Sequence, residues 1–271
     1  YLDACSIPLS VDIATDFSRI YGINAVDVAS LIRSMGSMLS EYEGALAETD
    51  QSYYVPRSRQ VSEVVLWQIA PSDLRAMLDA FHAEVSPTKI GRYDVFRRGA
   101  YDAKLIGRAY PRWEDGLDFY QRAFLRDSSH SLKQQGALYL ANKHNYELAF
   151  TWIDEARGMT NRNNSAIRNS YAVILFSANY EKASTSEVME SLDESMSILG
   201  RCYDEDHRKV YHAKVFADQA LKYSKKFPDS PNSRLYLESS EQWLIAELRG
   251  RVGDRRMSQL RHQVSSALKM L

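Results

Sequence analysis

The second half of the chain repeats a pattern of small, large and small residues at helical spacing. Ala149, Ile153 and Ala156 form the first triplet, and intervals of four and then three residues place them on one face of a helix. The spacing recurs at intervals of about 45 residues in Ser195, Leu199 and Cys202, and then in Ser239, Trp243 and Ala246. Because small residues let a neighbouring helix approach closely, the recurrence predicts stacked helical hairpins, an array that usually binds another protein.

Almost the whole chain from residue 93 to the end has a helical pattern, divided by short breaks. The breaks fall at Pro111, at Gly158 and in the Pro228–Pro231 turn, where glycine and proline interrupt the pattern. The pattern predicts helices over residues 93–109, 113–126, 129–143, 146–157, 164–179, 185–202, 207–226, 233–249 and 254–270.

The first part of the chain has a mixed pattern. Helices are predicted over residues 10–21 and 24–40, on either side of a turn at Gly22 and with Asn24 as the N-cap of the second. Residues 53–55 and the valines of 61–65 are rich in β-formers and predict a small hairpin, although residues 58–70 also fit a helix. Two helices and a short hairpin predict a winged-helix domain.

A proline marks the predicted domain boundary. A helix is expected from Ser72 to about residue 85, and Pro87 follows it. The sequence therefore predicts a mainly α protein with two domains, a winged-helix domain over residues 1–87 and an all-helical array over residues 88–271.

Composition places the chain among cytoplasmic globular proteins. The hydrophobic fraction is 45% and the charged fraction 25%. No apolar run approaches the roughly 18 residues that span a bilayer, so no membrane partner is expected. Two cysteines, Cys5 and Cys202, give no disulfide framework, and both fit packing positions. Because the chain opens at Tyr1 without a methionine or a signal-like segment, we expect it to be part of a longer protein.

Charge is unevenly distributed although the net charge is only −1. Residues 1–50 hold eight acidic and two basic residues, a balance of −6, whereas residues 87–112 hold seven basic and two acidic residues, a balance of +5. The basic segment alternates with apolar residues at helical spacing. It predicts an amphipathic helix that docks on the acidic first domain or on another domain, and nucleic acid is the disfavoured alternative.

Sequence motifs for catalysis are missing from these residues. There is no Walker A sequence, no dinucleotide-binding glycine loop and no His-Glu-x-x-His. His207 and His212 lie close to Asp204 and Asp206, but five residues of helix place the two imidazoles on different faces, a poor geometry for a metal. We expect no enzymatic activity, no metal and no cofactor in this fragment.

Two resemblances add to this interpretation. Gly136, Tyr139 and the triplet that begins at Ala149 resemble a tetratricopeptide repeat (TPR), although the later hairpins are longer than a standard repeat. Residues 88–271 are therefore expected to form a TPR-like α-solenoid. More specifically, the order of VPRSRQVSEVVL, GRYDVFRRGAYDAKLIGRAY, LKQQGALYLANK, AFTWIDEAR and IRNSYAVILFSAN resembles the C-terminal half of bacterial STAND NTPases of the antiviral Avs type, over roughly residues 1–200.

The second resemblance implies a function. In that family a winged-helix domain ends the ATPase module and a TPR-like sensor follows. The sensor binds a phage-encoded protein, and the protein then forms homo-oligomers and activates an N-terminal effector. ATP and Mg²⁺ would belong to the upstream module.

One short motif bears on nucleotide binding. The family often has Arg-His-Arg where this chain has Arg57-Ser58-Arg59, so a role of the histidine cannot be carried over. Arg57 and Arg59 either lie near a nucleotide phosphate or form an ion pair with Glu63 on a solvated face.

The TPR resemblance also predicts a contact surface. First helices of such hairpins, here residues 129–143, 164–179 and 207–226, line the concave groove. Tyr139 and Tyr171 are the predicted aromatic anchors, although both also fit core positions, Tyr139 in particular because of its spacing from Gly136. The predicted polar contacts are Lys133, Asn142, Asn169, Asn179, Lys209 and His212.

Two alternatives remain open at this point. One is a transcription regulator with a winged-helix head and a TPR ligand sensor, and the other is a generic TPR scaffold for peptides. The would-be recognition helix, residues 24–40, has Arg33 as its only cation and also carries Asp27. Because a helix in the major groove needs several cations, charge disfavours the regulator.

Overall fold

The computed structural model of this chain is mainly helical. It describes residues 9–10, 14–15, 22, 24–41, 53–58, 64, 67–84, 101–160, 164–249 and 254–271. The strands are β1 (Leu9–Ser10), β2 (Leu39–Glu41) and β3 (Tyr53–Pro56). The helices are α1 (Ala25–Ser34), α2 (Pro71–Glu84), α3 (Ala103–Ala109), α4 (Trp113–Arg126), α5 (His130–Asn142), α6 (Tyr146–Gly158), α7 (Ser165–Tyr180), α8 (Ser186–Glu205), α9 (Lys209–Lys226), α10 (Pro231–Leu248) and α11 (Arg255–Leu268).

The chain divides into two compact units, residues 1–139 and 140–271. The predicted domain boundary at Pro87 lies outside the described residues, so it stays a prediction. None of the described helices combines the length and the apolar character that a bilayer-spanning helix needs.

A small antiparallel sheet belongs to the first unit. The central strand is β3, which pairs with β1 at Leu9 and Tyr54 and with β2 at Leu39 and Pro56. The sequence predicted β-structure at residues 53–55 correctly, but it proposed residues 61–65 as the partner. Of those residues Val64 is described, and it is helical.

The helix predicted over residues 24–40 is shorter in the structure. Asn24 caps it as expected, since its Oδ1 accepts the backbone N–H of Asp27 at 3.1 Å. Gly22 has a φ of +71°, which glycine adopts without steric cost. The helix ends at Ser34, because Leu39 and the next two residues pair with β3 as a strand. Here sheet pairing overrides helical periodicity.

The helices of the second half closely match the predicted segments. The segment predicted at 113–126 is α4, that at 146–157 is α6, and that at 164–179 is α7, each within one residue at either end. Among these segments the largest shift is at the end of α8, which continues to Glu205 instead of stopping at residue 202. The segment predicted at 93–109 is described from residue 101, and its helix α3 begins only at Ala103, so the prediction was too long there.

Buried aromatic rings fill the core between α4 and α5 in the first unit. Tyr110, Phe119, Tyr120 and Tyr139 are all fully buried. The ring centroids of Tyr110 and Phe119 are 5.0 Å apart, and those of Tyr120 and Tyr139 are 5.7 Å apart. Gly116 on α4 lies directly against this cluster, since a Cβ at that position would be 2.1 Å from Cζ of Tyr139. A glycine is therefore required there.

The second unit contains an antiparallel hairpin of α7 and α8. Ser195 on α8 donates its hydroxyl to the carbonyl oxygen of Ala172 at 2.7 Å. Two turns further along α8, the thiol of Cys202 donates to the carbonyl oxygen of Ser165 at 3.7 Å. Both small side chains are fully buried. They bring the two helix backbones close enough for side-chain-to-main-chain hydrogen bonds.

The next hairpin is formed by α9 and α10, with α11 packed against both. Aromatic edge contacts line its core: the rings of Tyr223 and Tyr236 are 5.1 Å apart at 85°. An ion pair of 2.7 Å between Lys214 and Asp254 joins α9 to the start of α11.

The structure confirms two of the three packing triplets. All three residues of the triplets at Ala149 and Ser195 are buried, on α6 and α8. The third triplet was placed wrongly, because Ala246 is exposed. The fully buried residues with the same spacing on α10 are Ser233, Leu237 and Ser240. Two overlapping triplets on α10 have the same spacing of small and large residues, and the sequence alone does not show which of them is buried.

The close contact at Gly116 gives a first prediction. Gly116→Ala should lower the free energy of unfolding by about 1–3 kcal/mol, because the added methyl group overlaps the ring of Tyr139. This penalty outweighs the gain of about 1 kcal/mol that alanine brings to a helix. Urea denaturation followed by near-UV circular dichroism measures the change. In the matched control, Gly107→Ala on α3, the new Cβ meets no atom within 4 Å, and stability should hold or rise. Equal gains for both variants would contradict the packing described here.

The corrected triplet gives a second prediction. Ser240→Leu should destabilise the second unit by about 1–3 kcal/mol, because a large side chain is forced into a filled helix crossing. Ala246→Leu makes a similar change on the exposed side of α10 and should stay within about 0.5 kcal/mol of the parent. Thermal unfolding of the two variants compares the two assignments directly. A larger loss for Ala246→Leu would restore the placement predicted from sequence.

Candidate functional site

Tyr139, predicted as an aromatic anchor, lies in the core of the first unit. It is fully buried, and its hydroxyl donates to the carbonyl oxygen of Arg112 at 2.7 Å and lies 3.0 Å from that of Tyr110. Desolvation raises the pKa of its phenol to about 12. A fully buried side chain cannot contact a partner, so its role is corrected to packing.

Asn169 and His212, predicted as polar contacts, face each other inside the second unit. His212 Nδ1 lies 3.1 Å from Asn169 Oδ1, and Asn169 Nδ2 donates to the hydroxyl of Tyr211 at 3.2 Å. Both side chains are almost fully buried. Desolvation lowers the pKa of His212, although the carboxylate of Asp206 opposes the shift. These two residues are therefore also corrected from partner contacts to internal structure.

Asp206 is the centre of this buried polar network. Its Oδ2 accepts hydrogen bonds from Ser165 at 2.5 Å and from Arg208 Nη2 at 2.5 Å, and His212 Nε2 lies 3.1 Å away. Hydrogen bonds from Arg208 hold the pKa of the buried carboxyl far below its usual range. Ser165 donates to the carboxylate and not to the imidazole, so the group lacks the order of a nucleophilic triad. These hydrogen bonds connect α7 to the segment between α8 and α9.

Asn179 and Lys209 form hydrogen bonds with main-chain carbonyl groups near the ends of α7 and α8. Asn179 is buried, donates to the carbonyl oxygen of Leu175 at 2.9 Å and accepts from Lys182 at 2.8 Å. The ammonium group of Lys209 donates to the carbonyl oxygens of Tyr203 and Asp204 at the C-terminus of α8. Because Asn179 is buried, the prediction that it contacts a partner is corrected. Lys209 is half-buried, and its contact with a partner stays a prediction.

The remaining predicted residues are more accessible. Lys133 is half-buried with its ammonium group 4.5 Å from the ring centroid of Phe124, and Asn142 is exposed at the end of α5. Arg57 is exposed, and its Nε donates to the carbonyl oxygen of Leu39 at 2.8 Å. Arg59 lies outside the described residues.

Tyr171, the other predicted aromatic anchor, lines a recess in the second unit. The recess lies among α6, α7 and α8 and has a volume of about 210 Å³. The guanidinium carbon of Arg157 is 5.0 Å from the ring centroid of Tyr171, and the ring of Phe150 meets that tyrosine edge-on at 6.0 Å. We call this feature the arginine recess; its lining residues are Arg157, Arg168, Tyr171, Glu194, Ile198 and Arg201.

Positive charge dominates the lining of the arginine recess. Three of its six residues are arginines, and one is an acid. Arg157 pairs with Asp154 at 3.0 Å and Arg168 pairs with Glu205, whereas Arg201 has no ion pair with the residues that the structure describes. The donors that the recess keeps for a ligand are therefore those of the exposed guanidinium group of Arg201.

A second recess, of about 420 Å³, lies at the start of α9. Its lining includes Lys209, one of the predicted contacts, and other basic residues, and each of them is engaged. His207 and Arg208 pair with Asp206, and Lys214 pairs with Asp254. The arginine recess is therefore the better candidate for an anionic ligand.

Sequence reasoning missed the arginines of this site. They come from three different helices, so no local spacing joins them. Arg168 and Arg201 belong to α7 and α8, and the hairpin register brings them together only after folding. Tyr171 was identified because an aromatic residue on a first helix is a general signature of a binding surface.

Comparison of the chain with models of known families, with curated proteins and with solved structures finds no match. Within the described ranges, no three His, Cys, Asp or Glu side chains come together in a way that could hold a metal ion.

The Asp206 network gives a prediction for acid stability. The pKa of Asp206 is depressed in the folded protein, so below the unfolded carboxyl pKa of about 3.9 the unfolded chain binds more protons than the folded protein does. The contribution of ionised Asp206 to the free energy of unfolding is therefore complete above about pH 4 and is lost as the pH falls. Asp206→Asn should cost about 1–3 kcal/mol at pH 7 and flatten the decline below pH 4, as measured by thermal unfolding at several pH values. Asp204→Asn, whose side chain is exposed, is the control and should behave as the parent. An unchanged acid limb in Asp206→Asn would show that the network carries no pH-dependent stability.

Proposed function

We propose that this chain is the ligand-sensing C-terminal region of a bacterial antiphage STAND NTPase of the Avs type. In this proposal a TPR-like array within residues 88–271 binds a phage-encoded protein in the cytoplasm. The winged-helix domain, residues 1–87, relays binding to an upstream NTPase. The protein then forms homo-oligomers and activates an N-terminal effector.

The observation that carries the proposal is the pair of successive helical hairpins in the second unit. The hairpins α7–α8 and α9–α10 follow each other, and each has a small-large-small triplet buried on its second helix. Hairpins that stack through such residues form extended surfaces, and recognition of other proteins is the common use of these surfaces. The arginine recess supplies a place on the described array where a partner group could be held.

The small sheet supports a winged-helix assignment for the first domain. A helix lies between β1 and β2, and the central β3 pairs with both in antiparallel fashion. A winged helix has this strand order, with its wing formed by the hairpin of the last two strands. The described helix α1 carries Arg33 as its basic residue and Asp27 in its first turn. Such a charge pattern favours a relay domain over a regulator that reads the major groove.

Nucleotide chemistry belongs, in this proposal, to the upstream module. The sequence of this chain has no phosphate-binding glycine loop, so ATP and Mg²⁺ would be held outside it. Arg57 is exposed next to β3 and is the described residue we assign to the neighbourhood of that nucleotide. We assign no catalytic residue to this chain.

Direct binding measurements test this function. Individually purified phage-encoded proteins are titrated onto the immobilised chain and followed by biolayer interferometry. We expect at least one to bind with a dissociation constant of about 1 μM or lower. Ser240→Leu, which disturbs the hairpin packing, should weaken that binding, and Ala246→Leu should not. If no phage protein binds and one DNA sequence binds at nanomolar affinity in physiological salt, the transcription regulator replaces this proposal.

A further inference from the structure

The geometry points to a specific ligand chemistry for the arginine recess. We propose that it binds one aspartate or glutamate side chain of the partner protein, and that basic residues flank this acid in the partner. The inference rests on the proposed function, because it specifies the partner that the array recognises.

The three guanidinium groups provide the donors. Guanidinium forks match the two oxygens of a carboxylate, and arginine remains charged at any physiological pH. Arg201 has no ion pair among the described residues, so it is available to a ligand. Arg157 and Arg168 pair with the exposed carboxylates of Asp154 and Glu205. The pair of Arg157 with Asp154 is exposed and therefore weak, so an incoming carboxylate can share this guanidinium group. Arg168 is largely buried and adds its positive charge to the recess.

The size of the recess indicates a single side chain. Its volume of about 210 Å³ lies below the roughly 300–1,000 Å³ of pockets that enclose whole small molecules. Tyr171 and Ile198 give it an apolar wall. That wall can hold the methylene groups of an acidic side chain while the carboxylate meets the arginines.

The surroundings select a protein rather than a nucleic acid. Asp154 and Glu155 are exposed on α6, and Glu190 is exposed on α8 next to the acid of the lining, Glu194. A nucleic acid places phosphates along its whole length, so these acids would repel it on both sides of the recess. A protein segment can place one acid in the recess and basic residues opposite the surrounding carboxylates. Charge complementarity therefore favours an acidic residue within a basic segment.

The test uses two short synthetic peptides and the whole chain. One peptide has a central glutamate flanked by leucine and lysine residues, and the other has glutamine in place of the glutamate. The ¹⁵N-labelled arginine Nε–H signals of the protein are followed by NMR as each peptide is added. We expect the signals of Arg157, Arg168 and Arg201 to shift with the glutamate peptide, with a dissociation constant in the millimolar range or below. They should not shift with the glutamine peptide.

Two variants make the test specific. Arg201→Gln keeps most of the side-chain stem and should weaken the glutamate peptide about tenfold, because one charge-assisted interaction is lost. Arg234→Gln on α10 removes an exposed arginine that is paired with Glu238 outside the recess, and it should leave binding unchanged. Since both positions are exposed, we expect the thermal unfolding of both variants to match the parent.

Three results would overturn this proposal. They are equal binding of the two peptides, the absence of any shift at millimolar concentration, and tighter binding of a single-stranded oligonucleotide at the same three arginines. The test of the recess can fail while the proposed sensing function holds. If a phage protein binds the chain and binds Arg201→Gln equally well, the sensing function stands and the assignment of the recess is wrong.

Discussion

The short side chains at the crossing of α7 and α8 set the arrangement on which the second unit depends. Ser195 and Cys202 are small enough for the helices to meet, and each donates to a main-chain carbonyl oxygen of α7. Those carbonyl groups have two lone pairs, so they can accept a side chain in addition to the helical hydrogen bond. The contact is therefore both close and directional. It fixes which residues of α7 face α8, and it thereby places Arg168 beside Arg201 in the arginine recess.

Polar groups at the joints between helices are the second constraint. Asp206, in the segment between α8 and α9, is buried inside the unit. A buried carboxylate is costly unless it is fully hydrogen-bonded, and here Ser165, Arg208 and His212 surround it. Asn169 and His212, which the sequence predicted as partner contacts, therefore hold the helices of the unit together. The arginine recess, where α6 and α8 flank α7, remains accessible to a partner.

Much of the helical framework could be predicted from the sequence, because helical periodicity and capping are local signals. These local signals identify the N-cap at Asn24, the turn at Gly22 and the bounds of α4, α6 and α7 directly. Other features depend on contacts between distant residues. The early end of α1 depends on strand pairing with β3, and the buried face of α10 depends on which of two overlapping triplets meets α9. The candidate site is of the second kind, since the burial of Asn169 and His212 and the meeting of three arginines arise only in the folded unit.

The register of the α7–α8 hairpin restricts where residues can be inserted or deleted. Ser195 meets Ala172 and Cys202 meets Ser165, so the two contacts are spaced by two turns on both helices. One residue inserted between them on either helix would rotate one contact by about 100° relative to the other and break it. Residues 181–185, which join the helices, are exposed and, among the described residues, make no hydrogen bond between α7 and α8, although Thr185 at the end of the turn caps α8. Insertions and deletions in related chains should therefore accumulate in this turn, while the helices keep their length.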